Sequence, residues 1–152
     1  MEKSWKLHHV GVIVRDMDKA VEYYQFLGAA IIGQESLDTS TYTDLTAYGK
    51  PADPKSKLEI KMVQLGSVTL ELLQPVEGDF TQKEFLDSMG EGIQHIAFKV
   101  DDFDKERDKL VAKGLPVIHG GKEIKTGEWF AYFDTRKVGN VIIELIQASV
   151  KE

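Results

Sequence analysis

The chain contains the same pattern twice, and this internal repeat limits its possible folds more than any other feature. Leu7–Lys19 aligns without a gap on Ile93–Lys105, 86 positions later, with five identical residues. Val68–Gln74 aligns on Val141–Gln147, but here the offset is 73 positions. Two matches in the same order indicate two tandem modules. The 13-residue difference between the offsets predicts extra length in the first module, which we place within Asp38–Lys57.

Each copy opens with a strand pattern that is followed by a helix pattern. Val10–Val14 alternates between two faces, as a strand does. A helix is predicted next, with Asp16 or Asp18 as its N-cap and Gly28 at its end. The second copy repeats this arrangement. The further strands that we predict are Leu58–Leu65, Ser67–Gln74, Phe130–Asp134 and Asn140–Gln147.

Together these elements predict an α+β fold of two tandem βαβββ modules, whose curved mixed sheets face each other around a cavity. We predict a single domain over residues 1–152. Within it, the first module spans 7–75, a connector spans 76–92, and the second module spans 93–148. The connector is expected to carry a short helix with an apolar inner side.

Composition excludes several classes of protein. The net charge is −6, with basic and acidic residues interspersed, which argues against a nucleic-acid partner. The longest stretch without a charge, Tyr23–Gln34, has 12 residues, whereas a membrane-spanning helix needs about 20. There is no cysteine, and the charged start Met1-Glu2-Lys3 lacks an apolar leader. We therefore expect a cytoplasmic protein in which any metal is held by histidine and carboxylate.

Four polar residues occupy matched positions in the two copies. Glu71 and Glu144 each lie in the middle of an apolar strand, where an unpaired carboxylate is costly. His9 and His95 lie in the two opening strands, each with a small residue two positions later. A single strand histidine is more often a hydrogen-bonded core residue, and a single glutamate is more often solvated. The recurrence of both types favours a joint site for a divalent ion such as Co, Ni, Zn, Mn or Fe(II).

With these residues, the sequence resembles the vicinal oxygen chelate superfamily (glyoxalase, bleomycin resistance protein and dioxygenase), and most of all the methylmalonyl-CoA epimerases. The resemblance runs from Leu7 to Gln147. The segments that carry it are Leu7–Lys19, Leu70–Pro75, Gly92–Ile96 and Val141–Leu145. It implies a glyoxalase-like cleft between two βαβββ modules, a metal in that cleft and a homodimer. Glyoxalase I enzymes share the module and the His/Glu/His/Glu ligand set.

The resemblance also implies roles for individual residues. His9, His95 and Glu144 match the ligand positions of the family. Glu71 lies where epimerases have Gln or Glu and glyoxalases have Glu. Glu59 has two interpretations: it aligns with a second catalytic glutamate proposed for some epimerases, or it belongs to a solvated strand face.

The sequence departs from the epimerase pattern at three places. Gln94-His95 replaces a His-His pair, Asp134-Thr135 replaces a His-Pro pair, and the Thr41–Pro51 loop is longer. These departures leave the four metal-binding candidates in place and bear on the substrate. Trp129 and Tyr132 are expected either to contact the substrate or to fill the core.

The resemblance predicts a metal-dependent epimerase or isomerase, like methylmalonyl-CoA epimerase, that abstracts a proton α to a thioester carbonyl. A divalent ion (Co, Ni, Zn or Mn) would stabilise the enolate. Glu144 is the first candidate for the base, and Glu71 or Glu59 would serve the opposite face. The alternative is a lactoylglutathione lyase of the glyoxalase I type, which acts on a hemithioacetal. An Fe(II) dioxygenase and a metal-free drug-binding protein are less favoured, because a full set of four ligands suits neither.

Overall fold

The computed structural model describes residues 5–149. The charged start Met1–Lys3, on which the expected cytoplasmic location partly depends, lies outside these residues. The C-terminal end of the predicted domain does so as well. Ten strands and three helices are formed within the described range. Their bounds are β1 Lys6–Ile13, α1 Met17–Phe26, β2 Ala30–Leu37, β3 Tyr42–Ala47, β4 Lys50–Pro51, β5 Lys57–Leu65, β6 Val68–Glu77, α2 Thr81–Met89, β7 Gly92–Val100, α3 Phe103–Ala112, β8 Val117–Glu123, β9 Trp129–Phe133 and β10 Ile142–Gln147.

The ten strands form one curled mixed sheet in the order β2-β5-β6-β1-β7-β10-β9-β8-β3-β4. In each module the first strand pairs in parallel with the last one, β1 with β6 and β7 with β10. This arrangement confirms the predicted α+β fold of two βαβββ modules. The two halves are continuous, because β1 and β7 pair in antiparallel fashion at the centre of the sheet. The module bounds stay predictions, and β6 runs to Glu77, two residues past the predicted end of the first module.

Both helices that follow an opening strand begin at the aspartate expected from the repeat. Of the two predicted caps, Asp16 accepts a hydrogen bond from the backbone N–H of Lys19 at the start of α1. Asp102, its equivalent 86 positions later, accepts one from Lys105 at the start of α3. A carboxylate here satisfies a backbone donor that has no partner within the helix.

The extra residues of the first module form an arm, β3 and β4, that crosses to the second module. Both strands fall inside the predicted Asp38–Lys57 segment. β3 pairs with β8, placing Tyr42 opposite Glu123 and Thr46 opposite Gly120. The arm therefore covers the edge of the second module and links the two halves of the chain at the far side of the cavity. β4 ends the sheet after two residues at Pro51, which limits further strand pairing.

The connector contributes α2 and part of the core. Phe80 is buried at the start of α2, and Phe85 and Leu86 pack against the same core cluster, as the apolar pattern predicted. No helix within residues 5–149 is both long enough and apolar enough to cross a membrane.

Candidate metal centre and its cavity

Four neighbouring strands at the centre of the sheet bring the four predicted ligands together. His9 lies on β1, Glu71 on β6, His95 on β7 and Glu144 on β10, and all four are buried. Gly11 pairs with both Glu71 and His95 across the strands. A β-carbon at Gly11 would overlap the imidazole ring of His95. The glycine at this position therefore makes room for one of the candidate ligands.

The ligand atoms converge on one point. The two imidazole Nε2 atoms of His9 and His95 are 3.2 Å apart. Each of them lies 3.4 Å from Glu71 Oε1 and 3.2 Å from Glu144 Oε2. Bonds from a metal to histidine nitrogen and carboxylate oxygen are about 2.0–2.2 Å long. These separations are short enough for all four groups to bind one ion, since the four ligand atoms lie within 4.8 Å of one another.

Hydrogen bonding alone does not satisfy these groups. Glu144 Oε2 is buried and has no hydrogen-bond partner, although two nitrogen atoms lie 3.2 Å away. A buried carboxylate oxygen without a partner is costly unless a cation is close. Two imidazoles and two carboxylates form a donor set that suits a first-row divalent metal. The residues present therefore fit a metal ion.

Without a metal, a proton takes the place of the cation. Burial lowers the pKa of His9, but the carboxylates of Glu71 and Glu144 outweigh it and raise that pKa to about 10. Burial raises the pKa of Glu71, but His9 and His95 outweigh this effect and hold the pKa below its usual range. Metal and proton therefore compete for the same nitrogen atoms.

The residue before each ligand histidine orients its ring. His95 Nδ1 lies 2.9 Å from Gln94 Oε1, and because that oxygen only accepts, Nδ1–H donates and Nε2 stays free to bind a metal. His9 Nδ1 lies 2.7 Å from His8 Nδ1. Burial, helped by the charge of His9, lowers the pKa of His8 to about 4, so the neutral His8 ring accepts the proton. The sequence interpretation missed both roles, although His8 and Gln94 are equivalent in the repeat.

A cavity of about 440 Å³ is lined from both modules, and three of the four candidate ligands, His9, Glu71 and Glu144, form part of its wall. Trp129 lines this cavity, a position from which it could contact a substrate. Its role stays a prediction. Tyr132 also lines the cavity, but its hydroxyl is buried and accepts a hydrogen bond from Gln82 Nε2 at 2.9 Å. The ring of Tyr132 packs 4.7 Å from that of His95, measured between centroids. Tyr132 therefore belongs both to the core and to the base of the cavity.

Glu59, the third glutamate predicted to act in catalysis, lies apart from the other two. Its carboxylate accepts hydrogen bonds of 3.0 Å from Ser36 Oγ and lies 3.5 Å from Lys57 Nζ. It lines a different cavity, beside Asp16 and Asp18 at the beginning of α1. The catalytic role of Glu59 stays a prediction, and its position favours the alternative of a partly solvated strand face.

The fold and the buried His/Glu cluster define a class of protein, which the family comparison identifies. Residues 8–133 match the model of the Glyoxalase/Bleomycin resistance protein/Dioxygenase superfamily. The chain belongs to this superfamily, and the resemblance inferred from the sequence is confirmed.

Individual relatives are similar over nearly the whole chain. The uncharacterized protein YqjC of Bacillus subtilis is 26% identical over 144 residues, which cover 93% of this chain and 91% of YqjC. Mitochondrial methylmalonyl-CoA epimerase of Bos taurus is 26% identical over 147 residues, covering 94% of this chain and 74% of the bovine protein. The structure of a Streptomyces coelicolor methylmalonyl-CoA epimerase variant, in complex with 2-nitronate-propionyl-CoA, aligns with a TM-score of 0.69 and 21% identity. The alignment covers 95% of this chain and 98% of that one.

Proposed function

We propose that this protein is a metal-dependent epimerase that removes and returns a proton α to the carbonyl of an acyl thioester, in the manner of methylmalonyl-CoA epimerase. The observation that carries the proposal is the convergence of His9, Glu71, His95 and Glu144 at the base of a cavity lined from both modules. The named epimerases among the relatives support the substrate class.

In this proposal His9, Glu71, His95 and Glu144 hold a divalent ion, with Co, Ni, Zn and Mn as candidates. The ion would supply Lewis-acid stabilisation to the oxygen of the enolate. Glu144 accepts the α-proton as a ligand that would leave the ion, because its carboxylate lines the cavity. The C–H electron pair stays on the substrate while Glu144 carries the proton.

The walls of the cavity support this chemistry. Apolar side chains from both modules surround the carboxylates, among them Ile60, Met62, Leu73 and Phe130. They limit the access of water, and electrostatic interactions are stronger where water is excluded.

Glu144→Gln tests the function. The metal-loaded protein is incubated with methylmalonyl-CoA in D2O, and the α-proton is followed by NMR. We expect rapid exchange in the wild type and a loss of about 100-fold or more in the variant, because the amide cannot accept the proton. Metal content is measured in both proteins. Normal exchange in a metal-loaded Glu144→Gln variant would contradict the role of Glu144.

The second candidate function is a glyoxalase-type lyase, and the carboxylate at Glu71 favours it because glyoxalases have glutamate at this ligand position. Thioester formation from methylglyoxal and glutathione by the same metal-loaded sample, without exchange on methylmalonyl-CoA, would select the lyase.

A homodimer and a cytoplasmic location complete the proposal. A mass of twice 17.1 kDa in analytical ultracentrifugation is the expected result for the homodimer.

A further inference from the structure

We propose that Glu35 is the second proton-transferring carboxyl group of this cavity and acts on the face of the substrate opposite to Glu144. This inference rests on the proposed function. An epimerase that inverts a carbon centre needs one group to remove a proton and another to deliver a proton from the other side. The sequence predicts Glu71 or Glu59 for the second group.

The position of Glu35 in the sheet places it in the right cavity. It lies on β2, paired with Ile60 of β5, and both residues line the cavity above the metal ligands. Gly33 and Leu37, two residues before and after Glu35, line the same cavity. Glu144 lies on β10, five strands away in the sheet order. Because both carboxyl groups line one cavity in a curled sheet, they approach it from different walls.

The surroundings of Glu35 leave it free to exchange a proton. The one hydrogen bond to its carboxyl group among the described residues comes from the hydroxyl of Tyr42, at 3.4 Å, a long distance for such a bond. No lysine or arginine within residues 5–149 forms an ion pair with it. Burial, reinforced by the charges of Glu71 and Glu123, raises the pKa of Glu35 to about 7. A carboxyl group of this kind is present in both its protonated and its ionised form near neutral pH.

Competing carboxyl groups are less well placed. Glu35 and Glu59 both line the second cavity, beside the beginning of α1, but Glu59 does not line the cavity above the metal ligands and is bound by Ser36 and Lys57. Glu123, at the end of β8, accepts a hydrogen bond of 2.8 Å from Thr126 Oγ1. Glu35 has neither a cation nor a short hydrogen bond to hold it in its ionised form.

The proton steps balance. The carboxylate of Glu144 takes the α-proton, the C–H bond breaks and its electron pair becomes the enolate. The protonated carboxyl of Glu35 then gives its proton to the opposite face, and a new C–H bond forms as the enolate collapses. Glu144 is left protonated and Glu35 ionised, which is the starting state for the opposite epimer.

The test compares inversion with exchange in Glu35→Gln. Each epimer of methylmalonyl-CoA is incubated separately in D2O with metal-loaded protein. NMR measures deuterium at the α-carbon, and HPLC separation of the epimers measures inversion. We expect Glu35→Gln to lose inversion by about 100-fold or more while one epimer still exchanges its proton, because Glu144 still serves one face. Glu35→Asp, which keeps a carboxyl group, should retain part of the inversion.

Control variants separate this role from general damage. Glu77→Gln, on the exposed end of β6, should invert and exchange like the wild type. Full inversion by Glu35→Gln, or loss of inversion in Glu59→Gln instead, would overturn the role of Glu35 and leave the epimerase standing. A wild type that neither exchanges nor inverts would overturn the proposed function and this inference with it. If Glu35→Gln has the same metal content and melting temperature as the wild type, misfolding does not explain its loss of inversion. Inversion by Glu35→Gln but not by Glu35→Asp would contradict the proposal.

Discussion

At the scale of single residues, the site depends on side chains that are not themselves candidate metal ligands. Gln94 is buried and fixes His95 through the Nδ1 bond, and His8 does the same for His9. An imidazole held in this way presents Nε2 in one tautomer and one orientation, which favours metal binding. We therefore expect the departure from the family pattern at Gln94 to affect how firmly a metal is held.

Gln94→Leu should weaken metal binding by about 10- to 100-fold, because it removes the acceptor for the Nδ1 proton of His95 at nearly constant volume. Competition with a chelator of known affinity measures the effect. Gln25→Leu, at an exposed position on α1, is the control and should bind metal like the wild type. Unchanged affinity in Gln94→Leu would show that the bond does not orient the ligand.

Gly11→Ala should displace the His95 ring, because the added β-carbon occupies the space of the imidazole. We expect loss of bound metal, measured by elemental analysis, and a destabilisation of about 1–3 kcal/mol in urea unfolding. Gly33→Ala is the matched control, since its β-carbon would meet only the Met62 side chain, at 3.7 Å. Full metal occupancy in Gly11→Ala would contradict this prediction.

At the scale of elements, the arm formed by β3 and β4 distinguishes this chain from a minimal pair of modules. It leaves the first module at the end of β2 and pairs with β8, which is the outermost strand of the second module in the sheet order. It also carries Tyr42, whose ring packs against Phe130 with centroids 5.6 Å apart and whose hydroxyl contacts Glu35. The arm thus covers an edge and supplies one wall of the cavity.

Replacing residues 39–56 with Asn-Gly would join β2 directly to β5, since Leu37 already pairs with Leu58. We expect the modules still to fold, with a lower melting temperature and with self-association through the exposed β8 edge. Circular dichroism and sedimentation at several concentrations measure these effects. A mass independent of concentration and equal to that of the wild type would show that the arm is not needed to protect this edge.

At the scale of the whole molecule, the candidate metal centre joins the two modules. Each module supplies one histidine and one glutamate, and the ligand strands β6, β1, β7 and β10 are consecutive in the sheet. Binding of a metal to the folded state alone therefore stabilises both halves together.

Metal removal should lower stability, and more so at high pH. The folded-state pKa of His9 is raised to about 10 from 6.5. In the metal-free protein this proton stabilises the fold fully below pH 6.5, and the contribution is lost as pH rises toward 10. A free metal concentration of 1,000 times the Kd adds about 4 kcal/mol to the free energy of unfolding. At low pH, protons compete for the ligand nitrogen atoms and weaken metal binding. Melting curves with metal and with chelator should differ more at pH 8.5 than at pH 6.5, and an equal difference would contradict this account.

The sequence by itself determined the features that depend on local pattern and on the repeat. The matched positions of His9, Glu71, His95 and Glu144 and the fold class were predictable, because strand alternation and a repeated segment place equivalent residues at equivalent points. The tertiary structure alone decided that Glu35 faces the cavity and Glu59 does not. That choice depends on the pairing of β2 with β5 and on the curl of the sheet. These are contacts between residues distant in the chain, and no local pattern specifies them.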